Sequence, residues 1–435
     1  MKYFFSYNAI STKPIKLTLS LFLLLTILLK IPVLAQQIPG DIFREYSWST
    51  PEEEPFAKFL RVGGKLDYNN YPEKLPENSL KEGFIAFSGI IDLTNAVKAE
   101  LTIEKMLCHE DTRDLRISWN QHDFIAIPEA DSIPEPQSAY MHHYYPTIEL
   151  PLDYIKTSEN QFRLEVNPEQ TWNWPQHLIY GIVLRVYYNK DVSPMQGELI
   201  IPEKRIIENT AITFKPNDSN QVAKVMFLGK YDGINYEGDG IYNQWHYHYH
   251  RGKIMNNIAT TSQKPFAVNW NTSWIPDQQS PFSVSAWIVD KSGLTYFHPP
   301  ISGLTFSRDY NVKLYKPYEQ PVKWVTRSGE FGEKINIQDS LSLASKAAFT
   351  WVSWSPAYMN GLYVNDFLVF VKEGPKYAYK TMWVETEDMH IFEQGENSIR
   401  TGKTPLHHNQ MVHGMEVQWP GIMVLIRYDP LKEVN

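Results

Sequence analysis

The chain has 435 residues, with 41 Lys and Arg, 49 Asp and Glu, and one cysteine. Its first 35 residues hold four lysines and no acid, so the other 400 carry 37 basic against 49 acidic side chains, a formal charge of −12. A surface that acidic, with no basic block, argues against nucleic acid and anionic lipid as partners. Cys108 alone excludes a disulfide scaffold and a Cys-rich zinc site.

Lys2, Lys13 and Lys16 precede an apolar run from Leu17 to Leu29, and Val33-Leu34-Ala35 forms a small-residue cleavage site before Gln36. Residues 1–35 are therefore expected to be a signal peptide, too short for a transmembrane anchor, which places the protein outside the cell or in the periplasm. No cysteine stands at the cleavage site, so a lipoprotein is not expected. Residues 36–80, rich in Glu, Pro and Asn, read as a lead-in segment. The 26 Tyr, 21 Phe and 13 Trp, with few helical stretches, give a β-sandwich composition. Some 400 residues exceed one core, so two to four domains are expected.

From Phe84 the chain alternates short apolar runs with Pro, Asn, Asp and Gly, which predicts strands and turns throughout. A weak internal repeat follows from comparing the two ends. Ala99 to Thr102, Leu115 to Asn120, Glu159-Asn160-Gln161-Phe162-Arg163 and Trp174-Pro175 leading into Ile182 to Tyr187 form one series. Ala347 to Thr350, Leu362 to Asn365, Glu396-Asn397-Ser398-Ile399-Arg400 and Trp419-Pro420 leading into Met423 to Tyr428 form the other. The Asn at the strand end (Asn120, Asn365), the later Glu-Asn (Asn160, Asn397) and the final apolar strand resemble the galactose-binding-like jelly roll found in carbohydrate-binding modules. That resemblance implies jelly rolls at 81–192 and 338–435.

Between them, Val268 to Ser273, Ile275-Pro276-Asp277-Gln278 and Phe282 to Asp290 resemble bacterial immunoglobulin-like modules, although Asn271 and Gln278 replace the usual Asp and Gly. The alternation of Phe282, Val284, Ala286 and Ile288 predicts an apolar face, with Ser283 and Ser285 outward. The fold class expected is therefore all-β: jelly roll, an immunoglobulin-like sandwich with its linker at 193–337, and a second jelly roll.

Three constellations could carry chemistry. His246, His248 and His250 alternate with Tyr247 and Tyr249, and strand periodicity would align the imidazoles for zinc or copper, or as a polar strand face or glycan-contact surface. Asn235, Glu237 and Asp239 before Gly240 reproduce the first half of a calcium loop, but His246 stands where the closing Glu belongs, and a plain acidic turn is the alternative. The third is a sugar-binding rim of aromatics and hydrogen-bonding groups: His142, His143, Tyr144, Trp172 and Trp174 in the first copy, and His407, His408, His413 and Glu416 in the last. For the tryptophans the competing reading is a core lid.

No nucleophile elbow, zinc helix, phosphate loop or dinucleotide fingerprint occurs. Carboxyl pairs such as Glu385 with Glu387 are numerous, but a glycosidase pair is defined in space. The expected function is a secreted, non-catalytic protein that binds polysaccharide or glycoconjugate. Two alternatives stand beside it: a metal-dependent glycan-active or oxidative enzyme with a His-lined site between sandwiches, and a structural or adhesive surface protein.

Overall fold

The computed structural model describes residues 37–52, 58–63, 79–80, 83–107, 114–166, 177–326, 330–358, 361–371, 374, 378–402 and 416–429. The expected signal peptide, Cys108, Trp172, Trp174, His407, His408 and His413 lie outside the described residues. The fold is all-β: strands joined by loops and by 3-10 turns of three residues. None of the described helices is long and apolar enough to cross a membrane.

The first copy of the repeat is built on two sheets. In one, Ile42–Ser49, His177–Tyr188 and Ala96–Leu107 follow in order, with Thr147–Glu149 and His142–Tyr144 on the far side of the last strand. The other runs Ile85–Phe87, Asn160–Glu165, Arg116–Trp119, Ile125–Ala126. The core between them is built from Leu101, Ile103, Ile182 and Leu184 on one side and Ile117, Trp119, Phe162 and Leu164 on the other. Asn160–Glu165 shows why: every second side chain is buried, as a half-covered strand requires.

The second copy repeats this plan. Asn311–Tyr315, Met423–Tyr428, Ala344–Trp354 and Tyr379–Thr386 follow in one sheet, and Phe331–Ile337, Gly395–Thr401, Leu362–Val364 and Phe367–Phe370 in the other. The repeated asparagines form the same clasp twice. Asn120 donates to Asn160 Oδ1 at 2.8 Å and accepts from the Gln161 amide, while Asn160 bonds both backbone groups of Lys156. Asn365 donates to Asn397 at 3.0 Å and accepts from the Ser398 amide, while Asn397 bonds both backbone groups of Glu393. Asn120 and Asn365 sit at φ 50° and 52°, a left-handed conformation that Asn tolerates better than most residues.

Both copies begin earlier than the sequence pattern suggests. The lead-in contributes Ile42–Ser49, paired along its length with His177–Tyr188, and Asn311–Tyr315 and Phe331–Ile337 precede residue 338. Between the copies, Gly197–Ile200, Asn209–Pro216 and Phe266–Asn271 form a small sheet. It covers a core shared with Val222–Asp232, Phe282–Asp290 and Ile301–Phe306. Phe282–Asp290 also joins the large sheet of the first copy through Thr295–Phe297, which pairs with Ile42–Ser49. Its second face is therefore packed and not wet. Ser285 is fully buried and donates to the His298 carbonyl, and Trp287 lies against Phe43 and Phe297. The expectation of an outward Ser285 is corrected by that sheet continuity.

Candidate functional site

The histidine row does not converge. His248–His250 is a strand, but His246 precedes it, and each ring has its own surroundings. His246 Nε2 donates to the Tyr231 carbonyl at 2.8 Å and Nδ1 lies 3.4 Å from Glu237. His248 packs beside Tyr145 and Tyr236. His250 Nδ1 meets the Tyr379 hydroxyl at 2.9 Å, next to the buried carboxylate of Glu104. Among the described residues no three His, Cys, Asp or Glu side chains gather to hold a metal ion. A transition-metal site on His246, His248 and His250 is thus replaced by three separate aromatic and carboxylate contacts.

Charge states follow from those contacts. Burial drives His248 down to about 3, helped by His143 and His250, and drives His143 down to about 4. Burial also opposes a charged His246, but the Glu237 carboxylate and the Tyr231 carbonyl outweigh it and raise that ring.

The acidic loop also serves the protein itself. Asp239 accepts from the amide of Ile241 and from the side chains of Asn235 and Gln244, and Glu237 accepts from the Tyr247 amide. In place of the expected calcium loop stands an internally bonded turn: protein donors engage Asn235 Oδ1, both Asp239 oxygens and Glu237 Oε1, while Glu237 Oε2 is buried without a hydrogen-bond partner. Gly238 and Gly240, at φ 69° and 74°, let the loop approach its neighbours closely. A Cβ on Gly238 would lie 2.3 Å from the His143 carbonyl, and one on Gly240 2.5 Å from Ser132.

The described members of the expected rim are interior. His142, His143 and Tyr144 pair with Leu107, Met106 and Lys105, and none is more than 4% exposed. Glu416 is buried where Glu416–Val417 adds to Ala344–Trp354. His142 belongs to an ionic cluster: Glu129 takes Lys105 at 2.5 Å and His142 at 2.8 Å. Burial lowers the Lys105 ammonium despite this partner. Burial opposes the Glu129 carboxylate too, but Lys105 and His142 hold it well below the usual carboxylate range. Such a cluster fixes the Glu129 loop against the sheet and offers no surface to a ligand.

The surface instead opens at a cleft of about 270 Å³ where the loop after Phe266–Asn271 meets Tyr379–Thr386. Tyr231, Tyr236 and His246 wall it, Asn271 and Ser273 bring polar groups, and Trp274 and Trp383 meet edge to face with ring centroids 6.0 Å apart. Both indole N–H groups donate to Glu385 Oε1, at 3.0 Å from Trp274 and 2.8 Å from Trp383. The Lys346 ammonium lies 5.1 Å over the Trp274 ring. The loop bearing Trp274 is pinned from below: the buried Arg308 donates to the Thr272 and Ile275 carbonyls and pairs with Asp277.

Of the site residues expected from the sequence, the cleft contains one, His246, and for a different role; Asn271, Ser273 and Ile275 stand in the sequence only as parts of the immunoglobulin-like pattern. A signal for Trp383 does exist. It occupies an exposed position of a strand whose residues Tyr379 and Met382 are buried, and an indole 37% exposed on a strand is costly unless something covers it. Trp274 has no such signal, since its place depends on a loop held by Arg308, which stands 36 positions beyond Thr272.

No family model matches the sequence, and no curated protein matches it. Among solved structures the chain is similar to a β-porphyranase of glycoside hydrolase family 86 from the human gut bacterium Bacteroides plebeius, at 11% identity over 55% of this chain and 37% of that one, with a TM-score of 0.23. It is similar to the glycoside hydrolase domain of Endo-D from Streptococcus pneumoniae R6 at 8% identity over 60% and 36%, with a TM-score of 0.26. An exo-β-1,3-galactanase from Phanerochaete chrysosporium matches at 11% identity over 73% and 69%, with a TM-score of 0.19. The chain spans little more than a third of the first two, and likeness at these scores carries no argument about function.

Proposed function

We propose that this is a secreted or periplasmic glycan-binding protein whose binding surface is the Trp274–Trp383 cleft. The observation that carries the reading is the pairing of a half-open aromatic corner with the polar groups of Asn271 and Ser273. Pyranose rings present apolar C–H faces that stack on indoles, while their hydroxyls need polar groups beside them. Binding rather than hydrolysis is favoured by the lining itself. The described side chains that wall the cleft include no carboxyl, whereas glycoside hydrolysis uses a pair of them. Glu385, beside the cleft, is engaged by both indoles.

The test is a screen of the protein lacking residues 1–35 against plant, algal and host polysaccharides, beside its Trp383→Ala variant. The reading expects a glycan whose binding is weakened about tenfold by that change, the equivalent of about 1.4 kcal/mol. No binding to any glycan, or binding indifferent to Trp383, overturns it. Sequencing the N-terminus of the exported protein tests the localisation, with Gln36 as the expected first residue.

A further inference from the structure

We infer that the cleft takes a curved glycan segment of one or two pyranose rings and rejects the flat face of a straight ribbon; this rests on the glycan-binding reading above. The planes of Trp274 and Trp383 stand 73° apart, with ring centroids 6.0 Å from each other. A straight, ribbon-like polysaccharide offers successive C–H faces in nearly one plane, so it can lie flat on one of these indoles but not on both. A chain that turns between neighbouring rings can place one ring on each.

The angle is built in. One oxygen of Glu385 accepts both indole N–H groups, which ties the two ring edges to a single point while their faces diverge. Trp383 and Glu385 are two residues apart on Tyr379–Thr386 and so share a face of that strand, and Arg308 holds the Trp274 loop by its carbonyls. The indoles therefore have little freedom to swing into one plane. Shape gives a second, independent argument. At about 270 Å³ the cleft lies just below the range of roughly 300–1,000 Å³ that holds drug-sized ligands, and its walls of Tyr231, Tyr236 and His246 recess the floor. A crystalline face cannot enter such a recess, whereas a short segment of a soluble chain can.

Glu385 is then a positioning residue. Replacing it with Gln keeps an oxygen able to accept from both indoles, and replacing it with Ala releases them. The experiment compares soluble hexasaccharides of β-1,3- and α-1,4-linked glucose and β-1,3-linked galactose with crystalline cellulose and chitin, using the protein lacking residues 1–35. Binding is measured by calorimetry for the oligosaccharides and by depletion for the solids.

The expected result is binding to at least one curved oligosaccharide and to neither solid, weakened about tenfold in Glu385→Ala and Trp383→Ala and retained in Glu385→Gln. Because Trp383 and Glu385 lie at the surface, thermal melts of these variants should match the parent. Binding to cellulose or chitin that depends on Trp383 overturns the inference but leaves the glycan-binding reading standing. Absence of binding to every sugar and solid overturns both. Equal affinity of Glu385→Ala and the parent overturns the locked angle.

Discussion

His248 gives a sharp electrostatic test. The residue is 6% exposed, its Nδ1 has no hydrogen-bond partner, and burial lowers the ring from the usual imidazole value to about 3. The unfolded chain binds a proton at His248 near pH 6.5, whereas the folded chain does not until about pH 3. The contribution of this neutral ring to stability is thus complete above pH 6.5 and is lost progressively as pH falls toward 3. Linkage puts the loss at about 1 kcal/mol at pH 5.5 and about 3 kcal/mol at pH 4.5, relative to pH 7.5. The total pH curve mixes this with groups of opposite sign. Burial raises Glu333 and Glu237, and Glu237 in turn raises His246, so these become less destabilising or more stabilising on acidification.

The quantity to measure is therefore the stability difference between the parent and His248→Phe. Phe has a similar ring and keeps the contacts with Tyr145 and Tyr236. Urea unfolding at pH 7.5, 5.5 and 4.5 should show the variant gaining those amounts on the parent as pH falls. An NMR titration should find the His248 ring unprotonated at pH 4.5. A pH-independent difference between the two proteins, or a His248 midpoint near 6.5, would refute the reasoning.

The Lys105–Glu129–His142 cluster predicts that Lys105→Met alone costs about 3 kcal/mol in urea unfolding, because it strips a mostly buried carboxylate of its principal partner. Adding Glu129→Leu should recover some of that loss, and a double variant worse than the single would contradict the pairing. In the two asparagine clasps, Asn160→Ala and Asn397→Ala should each cost about 1–3 kcal/mol, since each removes a buried amide that bonds both backbone groups of a loop residue and the side chain of the partner asparagine. The two losses should be alike if the clasps are equivalent, and calorimetry of the variants checks this. Tyr379→Phe removes the hydroxyl shared by Glu104 and His250, and a fall of about 1–3 kcal/mol in urea unfolding is expected because the buried Glu104 Oε1 loses its donor while Oε2 keeps the Arg251 amide.

How far the sequence carries the fold can be traced residue by residue. The alternation in Asn160–Glu165 and the left-handed asparagines at 120 and 365 are legible because they answer to local rules, period two and turn chemistry. Ile42–Ser49 escapes notice, although Phe43 and Tyr46 pack on opposite faces of its sheet, because Pro39-Gly40 before it and Pro51 with Glu52 to Glu54 after it suggest a linker. Ser285 misleads for the converse reason: a small polar residue on an alternating strand signals water unless a second layer covers that face, and the covering residues come from far along the chain. In the histidine row the strand is legible for His248 and His250, but where each ring ends up depends on Glu104, Glu237, Tyr145 and Tyr379, none of which is a sequence neighbour. The pairing that makes the candidate cleft is hidden for the same reason, since its two tryptophans stand 109 positions apart and come together only in the fold, edge to face and on a shared Glu385.

The two outer copies of the repeat touch directly as well as through the middle segment. The Trp419 amide donates to the Met141 carbonyl, Tyr379 reaches Glu104, and the Trp354 indole donates to Tyr180. This bears on how the molecule would carry load. A string of modules under tension yields link by link, each sandwich lengthening the tether as it opens. Here a pull that separated the first copy from the last would have to shear these cross-ties before any linker could extend. The protein is thus built as a braced block rather than a spring, a property suited to presenting a binding surface at fixed attitude and ill suited to an elastic stalk.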